Sequence, residues 1–300
     1  MAQTILLAGG TGFIGRRLVL LLQRKGYTVR LLTRTPRGAS QFGWDPVAGA
    51  IDEKAVQGAD VVINLTGAGI ADRRWTTARK KLLIDSRVQS AQVLRAAFQR
   101  QGQLPKAYIA SSAIGYYGNS GEAWMTEDEP PTDKGFMVTC CAAWEQAAEA
   151  FTALGVRTVL FRTGIVLGRE GGALPEFVKP LRFGIGAYFA DGQAWYSWIH
   201  LDDICHAYLW AAENTGVEGI FNAVAPHPAR NLDLVKATAR AMRQPALFVP
   251  APAMALRLVL GEMAVTVLSS NRISAEKIIA AGFHFQYPEL EGALANIFKK

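Results

Sequence analysis

Short apolar runs alternate with longer amphipathic segments over most of the chain. The apolar runs predict strands at 4–8, 27–32, 59–65, 106–111, 157–161, 195–199 and 220–224. Apolar residues at helical spacing predict helices at 13–25, 76–99, 138–154 and 202–214. The Pro- and Gly-rich stretch 35–49 is typical of a loop. This alternation predicts an α/β fold with a doubly wound parallel sheet, whose ligands bind at the carboxyl ends of the strands.

The first predicted strand runs directly into the turn Gly9-Gly10-Thr11-Gly12-Phe13-Ile14-Gly15, where a helix begins. Both Gly10-x-Gly12-x-x-Gly15 and Gly9-x-x-Gly12-x-x-Gly15 fit the dinucleotide fingerprint. In that fingerprint one glycine makes the turn, one lets the backbone approach a pyrophosphate, and one lets helix and strand pack closely. We therefore expect a Rossmann-type domain with the pyrophosphate at the helix N-terminus. A tight strand–helix turn without a ligand is the alternative.

The second predicted strand ends at Thr33-Arg34. An acidic residue is usual here when the ribose 2′-hydroxyl of NAD is bound, whereas an arginine suits the 2′-phosphate of NADP. Arg34 therefore predicts NADP(H) as the cofactor. An ordinary solvated arginine at a strand exit is the alternative.

Four motifs together resemble a known family. They are the 9–15 turn, Asn64-Leu65-Thr66-Gly67, Ser111-Ser112-Ala113-Ile114-Gly115-Tyr116-Tyr117-Gly118 and Trp198-Ile199-His200-Leu201-Asp202-Asp203. They look like an extended short-chain dehydrogenase/reductase, and more closely like its atypical branch of epimerase family proteins with a C-terminal module of unknown function. The resemblance covers essentially the whole chain and is specific for family and cofactor, but not for substrate. Pattern and resemblance together imply cofactor contacts at Gly9, Thr11, Gly12, Phe13, Ile14, Thr33, Arg34, Leu65, Thr66, Gly67, Arg87 and Val166.

The usual catalytic pair of such enzymes is missing from the predicted third helix. A tyrosine normally shuttles a proton, and a lysine four residues later lowers the pKa of that tyrosine. Aligning Glu145 with the glutamate that often follows this lysine puts Met137 at the tyrosine position and Cys141 at the lysine position. Cys141 is either a small buried helix residue or, near a helix N-terminus, a thiol of lowered pKa.

The remaining catalytic candidates follow the strand that ends near residue 111. Ser112 is the candidate hydroxyl, with Ser111 as the alternative, and either serine also suits a role in capping backbone amides. Tyr116 or Tyr117 is a candidate replacement acid. The alternative for both tyrosines is an aromatic ring packed over the nicotinamide pocket.

The candidate substrate side comprises Arg182, Gln193, Trp198 and His200. Arg182 suits a phosphate or a carboxylate, with an ordinary surface loop as the alternative. We expect Asp202 to cap the helix that follows, and His200 to hold the substrate-side loop.

We expect a cofactor-binding core at 1–170, to which 195–225 returns, and a smaller C-terminal α/β lobe made of 171–194 and 226–300. The net charge of +7 favours anionic or nucleotide-linked small-molecule substrates. The only basic run, 79–81, is too short to indicate a nucleic-acid partner. Cys140, Cys141 and Cys205 have neither metal nor disulfide spacing. We expect a cytoplasmic monomer or homodimer without a metal ion or a membrane partner.

Two functions from different classes follow. One is an NADP(H)-dependent epimerase or carbonyl reductase with an atypical active site. The other is a non-catalytic NADPH-binding protein that senses redox state or regulates a partner. The missing tyrosine and lysine favour the second, and the resemblance favours the first.

Overall fold

The structure is a computed structural model that describes residues 3–299. The strands are β1 (Thr4–Ala8), β2 (Thr28–Thr33), β3 (Gln41–Asp45), β4 (Ala50–Ile51), β5 (Val61–Asn64), β6 (Ala107–Ala113), β7 (Trp124–Met125), β8 (Arg157–Thr163), β9 (Ile165–Gly168), β10 (Gly171–Gly172), β11 (Ile185–Phe189), β12 (Trp195–Tyr196), β13 (Trp198–His200), β14 (Gly219–Ala223), β15 (Ala229–Arg230), β16 (Leu247–Ala251) and β17 (Arg272–Ile273). The α-helices are α1 (Phe13–Arg24), α2 (Thr77–Gln101), α3 (Phe136–Thr152), α4 (Leu174–Leu181), α5 (Leu201–Glu213), α6 (Asn231–Ala241), α7 (Ala253–Leu260), α8 (Val265–Leu268), α9 (Glu276–Ala280) and α10 (Leu290–Phe298).

Eight strands form the central sheet, in the order β14-β8-β6-β5-β1-β2-β3-β4. All neighbours are parallel except β3 and β4, which pair antiparallel at one edge. The chain adds β2 and β3 on one side of β1, then crosses back to add β5, β6, β8 and β14 on the other. This reversal makes a topological switch point beside β1, the usual ligand position in such sheets. The predicted doubly wound fold is confirmed.

Helices cover both faces of this sheet, which explains why its central strands are apolar on both sides. Ile5 and Leu7 of β1 pack in one buried cluster with side chains of α1 and α5. Leu6 and Ala8 point the opposite way and pack with side chains of α2 and α3. The carboxyl end of β1 therefore lies between two helical layers. Its glycine turn lies at the side of the sheet where the parallel strands have their carboxyl ends.

One predicted loop is wrong in part, because 41–45 forms β3 and pairs with β2. Phe42 and Trp44, two residues apart, both pack against the buried cluster on the α2 side. This alternation is typical of a half-buried strand. The surrounding Pro and Gly residues concealed it in the sequence.

Part of the C-terminal region packs on the central sheet, because Ile273, Ile278 and Phe283 share a buried cluster with Phe221 of β14. A third buried cluster joins α4, α6 and α10 around Trp198. Short pairings connect distant segments, because β7 pairs with β17 and β12 pairs with β15. The predicted division at residue 170 stays a prediction. Among residues 3–299, no helix has the length and apolar character needed to cross a membrane.

Candidate cofactor and substrate site

The β1–α1 turn has the geometry that a bound pyrophosphate requires. Gly9 has a φ of +83°, which favours glycine, and its carbonyl accepts from the Gly12 amide at 3.0 Å. A Cβ on Gly15 would lie 2.2 Å from the Gly9 oxygen, so the helix can approach the turn only with glycine there. Gly12 is exposed and begins α1 without a side-chain cap. The first amides of α1 are thus available to an anion.

The other predicted cofactor residues surround the same edge of the sheet. Arg34 follows the end of β2 and is exposed, and no ion-pair partner for it exists within residues 3–299. Leu65 follows β5 and lies next to Gly9, because a Cβ on Gly9 would come within 2.8 Å of the Leu65 carbonyl carbon. Phe13 differs from expectation in that its ring packs on Gly168 and Gly171. Because the Phe13 ring is occupied in this way, we expect Phe13 to contact the cofactor through its backbone amide.

Arg87 is a buried cation that has no carboxylate within bonding distance among the described residues. Its guanidinium donates to the Leu83 carbonyl at 2.7 Å and lies 4.6 Å from the centre of the Trp144 ring. A Cβ on Gly67 would lie 2.9 Å from the guanidinium carbon. Burial lowers the pKa of Arg87, and its Nε and the neighbouring Thr66 Oγ1 are buried without a partner. These unpaired polar groups fit an anionic or hydroxyl-rich ligand such as a dinucleotide.

A cavity of about 320 Å³ opens beside this edge of the sheet. Its walls come from the end of β6, the start of α3, the β8–β9 connection, β12 and the segment 265–271. The residues that line them are Ile70, Ala113, Ile114, Gly115, Gly118, Asp133, Gly135, Phe136, Met137, Val138, Thr163, Gly164, Ile165, Trp195, Tyr196, Ser197, Val265, Thr266, Ser269 and Asn271. The acidic residue among them, Asp133, accepts hydrogen bonds from the Asn119 amide at 3.1 Å and the Gly135 amide at 2.7 Å. Val166, the predicted nicotinamide contact, follows Ile165 in β9 and is half-buried.

Three hydroxyls on the cavity wall are committed to backbone groups. Ser197 Oγ donates to the Asn271 carbonyl at 2.8 Å, and Thr266 Oγ1 donates to the Met263 carbonyl at 2.8 Å. Tyr196 donates to the Val267 carbonyl at 2.5 Å, and burial raises its pKa. None of these three groups is arranged to give a proton to a ligand.

The positions expected for the catalytic pair are apolar here. Met137 lies on the cavity wall, where a Cβ on Gly115 would come within 2.8 Å of its Cε. Cys141 is buried one helical turn further on, and burial raises the pKa of its thiol. The alternative that the N-terminus of α3 activates Cys141 is therefore wrong. Neither residue can replace the usual tyrosine or lysine.

The two candidate serines lie behind the cavity wall. Ser112 Oγ donates to Glu145 Oε1 at 2.6 Å, and Ser111 shares a hydrogen bond with Tyr208. Both serines are buried, and the residue that reaches the cavity is Ala113. The hydroxyl of Ser112 is thus used inside the protein. A catalytic role for Ser112 stays a prediction, and its position does not support one.

Tyr117 is held in the same buried network. Its hydroxyl donates to Asn222 Oδ1 at 2.8 Å and accepts from Arg162 at 3.0 Å. Burial raises the pKa of Tyr117 to about 12, which makes it a weaker acid than an exposed tyrosine. Arg162 also forms a two-pronged ion pair with Glu145, at 2.9 Å for each contact. The predicted acid is a structural partner of this pair in the described geometry.

Tyr116 differs from Tyr117 because its ring is half-buried and no hydrogen bond of its hydroxyl exists within residues 3–299. The Arg162 guanidinium carbon lies 3.5 Å from the centre of the Tyr116 ring. Tyr116 thus covers the buried Arg162–Glu145 pair. Among the three catalytic candidates, only Tyr116 keeps an uncommitted hydroxyl, and its role stays a prediction.

The predicted substrate residues are scattered rather than gathered around the cavity. Trp198 is fully buried and donates to the His227 carbonyl at 2.9 Å, whereas Arg182 and Gln193 are exposed. His200 is buried and is itself the N-cap of α5, accepting from the Asp202 amide at 3.0 Å. The expected cap at Asp202 is wrong, because the Asp202 carboxylate instead binds Arg17 at 2.6 Å. Burial lowers the pKa of His200, which suits an acceptor nitrogen.

The comparisons with known proteins agree with this arrangement. Residues 5–223 match the family described as the NAD dependent epimerase/dehydratase family. The chain belongs to this family. Residues 251–297 match a domain of unknown function, DUF1731, which includes the cavity segment 265–271. Family membership makes NAD or NADP the expected class of cofactor, and the open amides of α1 fit either one.

Relatives of known sequence and structure cover the whole chain. Epimerase family protein YfhF of Bacillus subtilis is 36% identical over 299 residues, with 98% of each protein covered. The crystal structure of human epimerase family protein SDR39U1 with NADPH is 32% identical, covers 99% of both chains and has a TM-score of 0.89. A nucleoside-diphosphate sugar epimerase from Corynebacterium glutamicum is 29% identical with a TM-score of 0.81, and this chain spans 58% of it.

Proposed function

We propose that this chain is an NADPH-dependent reductase that transfers hydride to a small, largely apolar acceptor without a tyrosine–lysine pair. The observation that carries the proposal is the cavity beside the cofactor edge, whose wall presents Ala113 and Met137 where an acid–base enzyme would present polar groups. A ligand enclosed there loses water on an apolar surface. Such a site favours an acceptor that needs orientation and dehydration more than a positioned acid.

The protein's own groups would act by binding and positioning. The α1 amides and the buried Arg87 would hold the anionic part of the dinucleotide, and Arg34 would hold a 2′-phosphate. NADPH, when bound, supplies the hydride. The cavity residues would exclude water and align the acceptor. A conjugated ketone or a quinone suits this arrangement, because hydride transfer turns it into an enolate or a hydroquinone anion. That anion can take its one proton from bulk water after it leaves the cavity.

NADPH is proposed over NADH because Arg34 is exposed and without an ion-pair partner among residues 3–299. Arg34→Asp is expected to weaken NADPH binding by about 1–3 kcal/mol, the scale of a charge-assisted hydrogen bond, with little effect on NADH. Titration calorimetry of the wild type and the variant with both dinucleotides measures this. Arg257→Asp makes the same charge change in α7 and should bind NADPH normally. Equal affinities of the wild type for NADH and NADPH would contradict the preference.

Standard sugar 4-epimerisation is not expected, even though one structure that is 29% identical is named as a nucleoside-diphosphate sugar epimerase. That reaction needs a base on a sugar hydroxyl while hydride moves, and positioned acid–base groups contribute roughly 10²–10⁴-fold. Met137 on the cavity wall and the buried Cys141 stand at the positions of the usual pair, and the hydroxyls of Ser112 and Tyr117 are engaged elsewhere.

The test is a single-turnover experiment in which the protein is present at the same concentration as NADPH. The loss of NADPH absorbance is recorded after addition of a naphthoquinone, a cyclic enone or UDP-glucose, each in a separate reaction. We expect oxidation with the quinone or the enone and none with UDP-glucose. Met137→Glu, which adds a second carboxylate to the cavity wall besides Asp133, should slow the reaction while NADPH binding persists. Interconversion of UDP-glucose and UDP-galactose by the wild type would overturn the proposal.

A second candidate is a non-catalytic NADPH-binding protein that senses redox state. The apolar residues at the catalytic positions favour it, because binding alone needs no acid or base. In that case NADPH binds, but no acceptor that fits the cavity is reduced. The same single-turnover series separates the two, since a sensor leaves every acceptor unchanged.

A further inference from the structure

A strand pair of the C-terminal part and the helix that follows it expose large apolar side chains to an unusual degree. We call this group the apolar ridge, and it comprises Phe183, Ile185, Leu247, Val249, Met254, Leu258 and Val259. Phe183, Met254, Leu258 and Leu247 are 84%, 82%, 79% and 73% exposed. Helix α7, which supplies three of the seven, has no buried residue at all. Side chains of this kind are rarely left in water in such a group without a partner.

The ridge is built by a strand pair that continues directly into a helix. Strand β11 pairs in parallel with β16, with Ile185 opposite Leu247. Because side chains alternate along a strand, Leu247 and Val249 share one face while Phe248 points to the other. Phe248 packs inward, since a Cβ on Gly186 would lie 2.4 Å from its ring. Pro252 then starts α7, so outward apolar residues continue along the chain from β16 into the helix.

The segments that form the ridge carry positive charge and no acidic residue. Residues 177–190 and 234–261 contain no Asp or Glu, although Glu176, Asp191, Asp233 and Glu262 directly flank them. Their basic residues are Lys179, Arg182, Lys236, Arg240, Arg243 and Arg257. Lys179 pairs with Glu176 and Arg240 with Glu291, both outside these segments. The other four have no ion-pair partner in the part of the chain that the structure describes. Along these segments, exposed apolar residues and basic residues therefore alternate in sequence.

The ridge also borders the cavity. At the end of α7, Leu260 packs with the cluster that contains Met263 and, at the cavity wall, Met137. Val265 and Thr266, one short turn later, line the cavity itself. A partner that contacts α7 would thus lie close to the segment 265–271, which forms one wall of the cavity.

We propose that the apolar ridge docks this protein on an anionic lipid surface, with Phe183, Leu247, Met254 and Leu258 inserted among the acyl chains. Side chains that are three-quarters exposed protrude singly, and fluid acyl chains accept them without a complementary pocket. The basic residues of these segments match the negative charge of the lipid headgroups. A folded protein partner would instead need a recess for each protruding side chain. Docking of this kind is peripheral and needs no spanning helix.

This inference does not depend on hydride transfer, and it differs from the expectation of no membrane partner. That expectation came from the absence of a long apolar run. Exposure of short apolar segments is a property of the folded chain, which the sequence pattern alone does not reveal.

The test is co-sedimentation of the full chain with vesicles of phosphatidylcholine alone or with about one quarter phosphatidylglycerol. We expect the wild type to bind the anionic vesicles at least about tenfold more tightly than the neutral ones. Phe183→Glu/Leu258→Glu should reduce that binding by about tenfold or more. The matched control is Leu20→Glu/Val47→Glu, which makes the same charge change at residues that are 49% and 76% exposed on other surfaces. It should change binding by no more than about twofold.

Three results would overturn the proposal. The first is no binding of the wild type to either vesicle. The second is an equal loss in both double variants, which would mean attraction by net charge alone. The third is a wild-type dimer in sedimentation velocity that Phe183→Glu/Leu258→Glu converts to a monomer, which would assign the ridge to a second copy of the chain. Thermal unfolding of each variant shows whether it is folded without relying on NADPH binding, so a failure here is distinct from a failure of the proposed reductase.

Discussion

Gly12→Val is expected to abolish NADPH binding while leaving the protein folded. Gly12 has φ −76° and ψ 178°, which valine also adopts, and the atom nearest to a Cβ added at Gly12 is the Gly9 oxygen at 3.3 Å. The added side chain would therefore sit over the exposed amides of α1, where the pyrophosphate is expected. The loss of several charge-assisted hydrogen bonds corresponds to about 100-fold or more in affinity.

Fluorescence titration with NADPH and thermal unfolding measure the two halves of this expectation. Gly216→Val is the matched control, because Gly216 is exposed and a Cβ added there would have nothing within 4 Å. It should bind NADPH as the wild type does. NADPH binding that persists in Gly12→Val would remove the glycine turn from the cofactor site.

Glu145→Gln is expected to cost about 3–5 kcal/mol of unfolding free energy, because it leaves the buried Arg162 cation without its carboxylate. Glu145 and Arg162 are 4% and 2% exposed and are joined by two contacts of 2.9 Å. The amide keeps the size of the side chain, so a cavity makes no contribution. The effect is therefore electrostatic and specific to the pair.

Urea unfolding of Glu145→Gln beside Glu149→Gln checks this. Glu149 lies one turn further along α3 and is exposed, so its change should stay within about 0.5 kcal/mol. Ser112→Ala removes only one hydrogen bond to Glu145 and should cost less, about 1–3 kcal/mol. Equal stability of Glu145→Gln and Glu149→Gln would show that the pair does not hold α3 on the sheet.

The sequence predicted the parts of the fold that depend on local pattern. Strands such as β1 are apolar on both faces, and the glycine turn has fixed spacing, so both are readable from neighbouring residues. Strand β3 was missed because prolines and glycines surround the alternation of Phe42 and Trp44. His200 was missed as the N-cap of α5 because Asp202 is the commoner capping type.

The candidate site was predictable on its cofactor side and much less so on its substrate side. In β6, period-two alternation implies that Ser111 and Ser112 face opposite layers, yet their partners Tyr208 and Glu145 lie 97 and 33 residues away. The wall formed by Val265, Thr266, Ser269 and Asn271 carries no local signal. Such contacts depend on how distant segments meet, and a single sequence does not encode that in its spacing.

The short pairing of β17 with β7 sets an order of events during synthesis. Arg272 lies beside Trp124, and Asn222 Nδ2 donates to the Ser274 carbonyl at 3.1 Å. All seven parallel strands of the sheet and the glycine turn have left the ribosome before these partners exist. A nascent chain can thus acquire its dinucleotide site while the acceptor cavity still lacks a wall. Closure of that wall joins residues almost 150 positions apart, a type of contact that forms slowly.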